Sequence, residues 1–325
     1  MRNLFTASVR FTLFAIFTLL LAAVAFGQLS LRKAIDYDND GKADFTIFRP
    51  SNNVWYINKS GGSGFIFQQF GLSNSDFVAP GDFDGDGKGD ISVWRDTDGV
   101  WYRFNSSNGV FVATAFGISG DEPVARDYDG DGKTDLAVVR RTNGAMIWYV
   151  LRSSDGGFQA TQWGLSTDFT APGDYDGDGK FDLAVQRPGA TAASQSTFYI
   201  LQSSNGSLFA VNWGLSNDLV VPGDYDGDGK TDIAVVREGA TPTSNLVWYI
   251  RKSSDGNLIA RTFGITGDDL NAQNDYDGDG KCDIAIWRNS TGDFYTLTSS
   301  SGFTGTTQSH WGASNDFPAA SYDTH

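Results

Sequence analysis

Six nine-residue loops in this chain carry carboxylates at one fixed spacing, and that spacing is the chemistry of a hard-cation site. The first loop sets Asp36, Asp38, Asp40 and Asp44 around Gly41 and Lys42. The second sets Asp82, Asp84, Asp86 and Asp90 around Lys88, and the third Asp127, Asp129, Asp131 and Asp135 around Lys133. The fourth has Asp174, Asp176, Asp178 and Asp182 with Lys180, and the fifth Asp224, Asp226, Asp228 and Asp232 with Lys230. The sixth has Asp275, Asp277, Asp279 and Asp283 with Lys281. Ca²⁺ takes six to eight oxygens from carboxylates, carbonyls and water. Aspartates at positions one, three and five supply short carboxylates, and glycine at position six permits the sharp turn. The lysine at position seven is read as a ligand through its backbone carbonyl, with its ammonium turned outward. The ninth position adds a fourth carboxylate. No cysteine–histidine cluster offers a site to a softer metal. Six bound Ca²⁺, one per repeat, are therefore expected.

An EF-hand does not fit. Its twelfth position needs a bidentate glutamate, whereas these loops have Ile47, Val93 and Val138 there. Each loop also runs into alternating apolar β-formers, such as Leu136–Arg140, and not into a helix.

The elements that must hold the loops repeat with them. First-aspartate positions 36, 82, 127, 174, 224 and 275 recur every 45–51 residues. Each unit has a short apolar lead, the loop, a strand, a turn, an aromatic strand, a Ser/Asn/Asp-Gly turn and a further strand. Four short strands joined by tight turns form one blade of sheet. A lone blade cannot bury both faces, so blades must stack, and a closed ring leaves only short edges. The expected fold is all-β: a β-propeller of four-stranded blades, with six repeats and a C-terminal closing strand supplied by residues 316–325. A seven-bladed ring with a partial last blade is the alternative.

Aromatics recur in step: Trp55-Tyr56, Trp101-Tyr102, Trp148-Tyr149, Phe198-Tyr199, Trp248-Tyr249 and Phe294-Tyr295, then Phe70-Gly71 through Trp311-Gly312. Packing between blades is the expected use of such a stripe, ahead of sugar stacking. An arginine follows each loop, at Arg49, Arg95, Arg140, Arg187, Arg237 and Arg288. Stacking on the aromatics or pairing with an acid is expected of it, ahead of a ring of anion sites.

Charge and composition narrow the function. The chain has 39 acidic against 24 basic residues, a net charge of −15, and the loops hold 24 of the acids. The acidity is thus mostly site acidity, and no basic footprint for nucleic acid exists. Residues 1–27 have the pattern of a secretory signal peptide: Arg2 and Arg10, an uncharged apolar run from Phe11 to Phe26, and small residues before Gln28. A domain of residues 28–325 would follow, exported to a secreted, periplasmic or cell-surface location, with no membrane span after cleavage. Loss of Arg2 and Arg10 takes the net charge to −17, and six Ca²⁺ at two charges each would bring it to −5. Cys282 is the sole cysteine, which rules out an internal disulfide.

The loop and the Phe/Trp-Gly pairs together resemble the FG-GAP or VCBS-type repeat family, which includes the integrin α-subunit propellers, over about residues 30–325. That resemblance implies calcium in the loop between the first and second strands of each blade. It also brings in calcium-bearing propellers of lectins and polysaccharide lyases. The leading expectation is a monomeric binding or adhesion module for an extracellular protein or glycan. An extracellular polysaccharide lyase or hydrolase and a structural spacer are the alternatives. Catalysis is not expected: the only histidines are His310 and His325, and no GxSxG or HExxH motif is present. The longer turns after the second strands of blades four (Pro188–Ser196) and five (Glu238–Asn245) direct attention to the face opposite calcium for ligand binding.

Overall fold

The computed structural model describes residues 34–320, Ser63 excepted. The proposed signal peptide, Gln28 and His325 lie outside the described residues. Six four-stranded antiparallel sheets are arranged in a ring as a β-propeller. Blade two shows the plan: Asp76–Val78, Ile91–Arg95, Val100–Phe104 and Phe111–Ala115, hydrogen-bonded in chain order. Burial follows sequence pattern strand by strand. The second strand, as in Ile233–Arg237, is apolar up to its terminal arginine and buried on both faces. The third, as in Asn245–Arg251, alternates buried and part-exposed. The fourth, as in Phe65–Gln69, is largely exposed and forms the outer edge.

Blade one is assembled from both ends of the chain. Its first strand is Phe317–Pro318, which pairs antiparallel with Phe45–Arg49 through Ile47↔Pro318 and Phe48↔Phe317. The Ala319 amide donates to the Thr46 carbonyl at 2.9 Å, and Arg49 forks onto Asp316 with two 2.8 Å bonds. The closing strand is thus a latch on blade one, and the seven-bladed alternative is set aside.

The core lies between blades. Each apolar cluster spans neighbouring sheets: Trp148 and Val150 of blade three pack with Leu183 and Val185 of blade four, and Ile57 and Trp55 pack with Trp287 and Phe294 across the closure. Trp55, Trp101, Trp148 and Trp248 are fully buried. Trp163, Trp213 and Trp311, from the Trp-Gly pairs, donate indole N–H bonds to Tyr199, Tyr249 and Tyr56 of the next blade at 3.0–3.2 Å. The aromatic stripe is inter-blade core.

Candidate metal centres

In blades two to six the acidic loop connects the first and second strands, and in blade one it leads into the second strand, Phe45–Arg49. Glycine at position six is left-handed in all six, with φ between 84° and 88°, a region closed to most side chains. The loop is shaped by its first aspartate. Asp82 accepts the Gly85 amide at 2.7 Å on one oxygen and the Gly87 amide at 3.1 Å on the other. Asp127 accepts Gly130 at 2.6 Å and Gly132 at 2.9 Å, and Asp36, Asp174, Asp224 and Asp275 do the same in their loops. The fifth-position carboxylates, Asp40, Asp86, Asp131, Asp178, Asp228 and Asp279, each accept the amide of the following lysine.

The carboxylates converge. In loops one to three, oxygens of positions one, three and five lie within 4.8 Å of one another; in loops four and five the same holds for positions one, three and nine. The carbonyls of Lys42, Lys88, Lys133, Lys180, Lys230 and Lys281 accept no backbone hydrogen bond among the described residues. They remain open as oxygen donors.

The ninth aspartate also has a second task. Asp135 accepts the Tyr128 amide at 2.8 Å on one oxygen and the Ser153 amide at 2.7 Å on the other. Asp44, Asp90, Asp182, Asp232 and Asp283 repeat this fork. It ties the loop to the turn between the third and fourth strands.

That turn supplies residues the sequence reading did not single out. Ser106 donates its hydroxyl to Asp86 at 2.9 Å and Ser107 to Asp84 at 2.6 Å. Ser153–Ser154, Ser203–Ser204, Ser253–Ser254 and Ser299–Ser300 cap their loops alike. In the first repeat Ser60 is followed by Gly61, where a Cβ would lie 2.8 Å from an Asp38 oxygen. The recurring Ser-Ser pair was the available signal.

The six loops are also stitched to one another. The amide at position eight of each loop donates to the carbonyl of position one in the preceding loop: Gly89 to Asp36, Thr134 to Asp82, Phe181 to Asp127, Thr231 to Asp174, Cys282 to Asp224 and, across the closure, Ala43 to Asp275, at 2.6–2.8 Å. The lysine stem at position seven lies over the fourth residue of that preceding loop. A Cβ on Gly85 would meet Lys133 Cε at 2.6 Å. Five of the six loops have glycine at position four, under the lysine stem of the next loop, and the first loop has Asn39 there at φ 60°. Cys282 is buried in this ring, and burial raises its thiol well above the usual range. It is unsuited to reaction.

The donor set fits a divalent cation. Burial, reinforced by neighbouring loop carboxylates, raises Asp127 and Asp174 to about 6 and Asp135 and Asp182 to about 7. The opposing pull comes from backbone N–H groups and, at Asp135 and Asp182, from the Ser153 and Ser203 hydroxyls, not from a lysine or arginine. A cation would stabilise these buried carboxylates as anions, adding to what the N–H groups already do. All-oxygen ligation suits Ca²⁺.

The contrast with the arginine ring is sharp. Arg49, Arg95, Arg140, Arg187, Arg237 and Arg288 fork onto Asp316, Asp76, Asp121, Asp168, Asp218 and Asp269, aspartates at or just before the first strands. Each guanidinium also lies over a tyrosine ring, 4.3–4.6 Å from its centroid. Both expected structural uses hold together. The partner aspartates were missed by sequence reading, although they too recur with the repeat.

The long second turns of blades four and five hold themselves together. Thr191 and Ser194 hydroxyls lie 2.8 Å apart, as do Thr241 and Ser244, while the Gly189 and Gly239 amides donate to Ser216 and Thr266. Their polar groups are turned to one another.

Ring, blades and acidic loops together define a β-propeller with cation-type loops between first and second strands. The family profile for the FG-GAP-like repeat matches residues 36–93 and 127–185. Those two stretches of the β-propeller are similar to the FG-GAP-like repeat. Among solved structures it is similar to the crystal structure of a protein from Lactobacillus plantarum, with 15% identity over 66% of each chain and a TM-score of 0.41. No curated protein matches the chain. No helix among the described residues is long and apolar enough to cross a membrane.

Proposed function

We propose that the protein is an exported, calcium-stiffened propeller that acts as a binding or adhesion module for an extracellular protein or glycan. The observation that carries this is the ring of six near-identical carboxylate loops, joined amide to carbonyl on one face. Ca²⁺ held there would neutralise the buried carboxylates and fix six blades in one frame. Asp36, Asp38, Asp40 and Asp44, and their equivalents in each blade, with the lysine carbonyls, would hold the ions. The ion's contribution is charge and coordination. The chain's own residues supply the rest: Ser-Ser turns cap the loops and arginine–aspartate forks pin the opposite ends of the strands.

A binding role is favoured over catalysis because the ionisable groups serve the repeat, six times over, whereas catalysis needs one asymmetric constellation. His310 sits on Asp293 at 2.8 Å but is exposed. Fold alone does not name a ligand. The experiment is a glycan and matrix-protein array run with millimolar Ca²⁺ and after its removal. Calcium-dependent capture of a defined class supports the proposal. An empty array under both conditions, or turnover of an arrayed glycan, contradicts it. N-terminal sequencing of the exported protein tests the leader, with Gln28 as the expected first residue.

A further inference from the structure

The six gaps between adjacent blades on the loop face are not filled alike. Phe45 stacks on Tyr276 at 5.1 Å in the gap between blades six and one. Phe181 packs edge-on against Tyr128 at 6.4 Å between blades three and four, and Phe303 against Tyr225 at 6.3 Å between five and six. Between blades four and five the residue aligned with Phe181 is Thr231, the one aligned with Phe45 is Ile233, and no phenylalanine aligned with Phe303 exists. A cavity of about 420 Å³ is left there. That lies within the range of about 300–1,000 Å³ typical of small-ligand sites.

Its lining is rich in donors. Arg251 ends the third strand of blade five, where the other blades have Asn58, Phe104, Leu151, Leu201 and Leu297. It lines the cavity, half-buried, and its guanidinium has no hydrogen bond or ion pair among the described residues. The six repeat arginines and Arg141 and Arg152 all have acidic partners. Lys230 lines the same space, its stem over Gly177. Gln202 and Asn205 use their amide oxygens on Ser207 at 2.6 and 2.7 Å, which leaves their NH₂ groups as donors. Phe209, 40% exposed, provides an apolar wall. The one acid in the lining, Asp176, accepts the Ser204 hydroxyl at 2.6 Å and belongs to the fourth metal loop.

We propose that this cavity binds an acidic saccharide unit, a uronic acid residue, with its carboxylate on Arg251 and Lys230. Its hydroxyls meet the amide donors and its apolar ring face lies against Phe209. Arg251 and Lys230 are the two cations of the lining, and an anion would complement both. The planar guanidinium matches a carboxylate fork. An aromatic wall with amide donors suits a ring that has an apolar face and a hydroxylated rim. The inference rests on the binding-module reading and gives that reading a site and a ligand class.

The test is isothermal titration of tri-galacturonate and tri-mannuronate, too short to gel, at one fixed free Ca²⁺ concentration. Carboxyl-reduced forms of the same trimers are the control. Wild type should bind at least one acidic trimer, and its reduced form roughly tenfold or more weakly, the worth of a charge-assisted contact. Arg251→Leu installs the residue that three other blades carry, so the blade should fold, and it should lower affinity for the acidic trimer by a similar factor. Thr231→Phe should fill the cavity as Phe181 fills its own gap and abolish binding. Calcium content and the melting profile, measured on both variants, show that the fold is kept. Equal affinity for acidic and reduced trimers, no binding of either acidic trimer, or unchanged affinity in both variants overturns the assignment. If arrays capture another ligand that both variants still bind, this site fails while the binding-module reading stands.

Discussion

Removing the cation should invert the pH dependence of stability. Asp135 is fully buried, and burial raises it from 3.8 to about 7. Its folded form therefore holds a proton that the unfolded chain releases near 3.8. In calcium-free protein this contribution is fully present below the unfolded value and is lost as pH rises to the folded value. A shift of about three units at about 1.4 kcal/mol each amounts to about 4 kcal/mol for this one side chain. Asp182, Asp232 and Asp283 are raised to about 7, and Asp127, Asp174 and Asp224 to about 6, all by burial first. Acids of one loop repel one another, so the shifts do not add, but all have the same sign. Ca²⁺ binds the deprotonated forms and expels the protons. It should therefore cancel the loss and bind more tightly as pH rises. Urea unfolding of metal-stripped protein from about pH 5 to about pH 8 should give a falling midpoint, and in millimolar Ca²⁺ a level or rising one. Calorimetry in buffers of different ionisation enthalpy should show proton release on binding near pH 6, about where these groups titrate. A metal-free midpoint that rises across the window, or identical slopes with and without Ca²⁺, would refute the reasoning.

Three further outcomes follow from the same contacts. Asp129→Ala should remove one ion per chain by elemental analysis and, at calcium 100 times Kd, about 2.7 kcal/mol of stability; it should change little in metal-free buffer. Asp76→Ala leaves Arg95 and the Leu72 amide without their acceptor, and should cost roughly 3 kcal/mol in urea unfolding irrespective of calcium. Asp316→Ala should cost a similar amount and, unlike Asp76→Ala, speed amide exchange locally at Ala319 and along Phe45–Arg49, where the ring closes.

Much of this architecture was legible because each repeat restates it. The Asp-x-Asp-x-Asp-Gly spacing located every loop, the aromatic pairs located the inter-blade core, and the interrupted last repeat foretold the latch of Phe317–Pro318 on blade one. The arginines were placed in the right kind of contact, but their partners, Asp76 and its equivalents, were overlooked within the lead into the first strand. The Ser-Ser caps were visible only as turn residues, since their role depends on a hairpin folding back over a loop about 20 residues earlier. The amide-to-carbonyl ring from position eight to position one was illegible, because backbone groups make it and Ala43, Gly89, Phe181 and Cys282 serve equally well there. The gap between blades four and five has Thr231 where blade four has Phe181 and Ile233 where blade one has Phe45, a difference whose effect shows only once the blades are stacked.

The most direct test of the central claim is a metal count: equilibrium dialysis of the folded protein against Ca²⁺ and Mg²⁺, followed by elemental analysis, with unfolding measured on the same samples. Six Ca²⁺ per chain, little retained Mg²⁺ and a melting temperature that rises with calcium are the predicted result, because six loops offer oxygen-only ligands to a large divalent ion. Protein that retains no Ca²⁺ at millimolar concentration and melts at the same temperature with and without it would contradict the account.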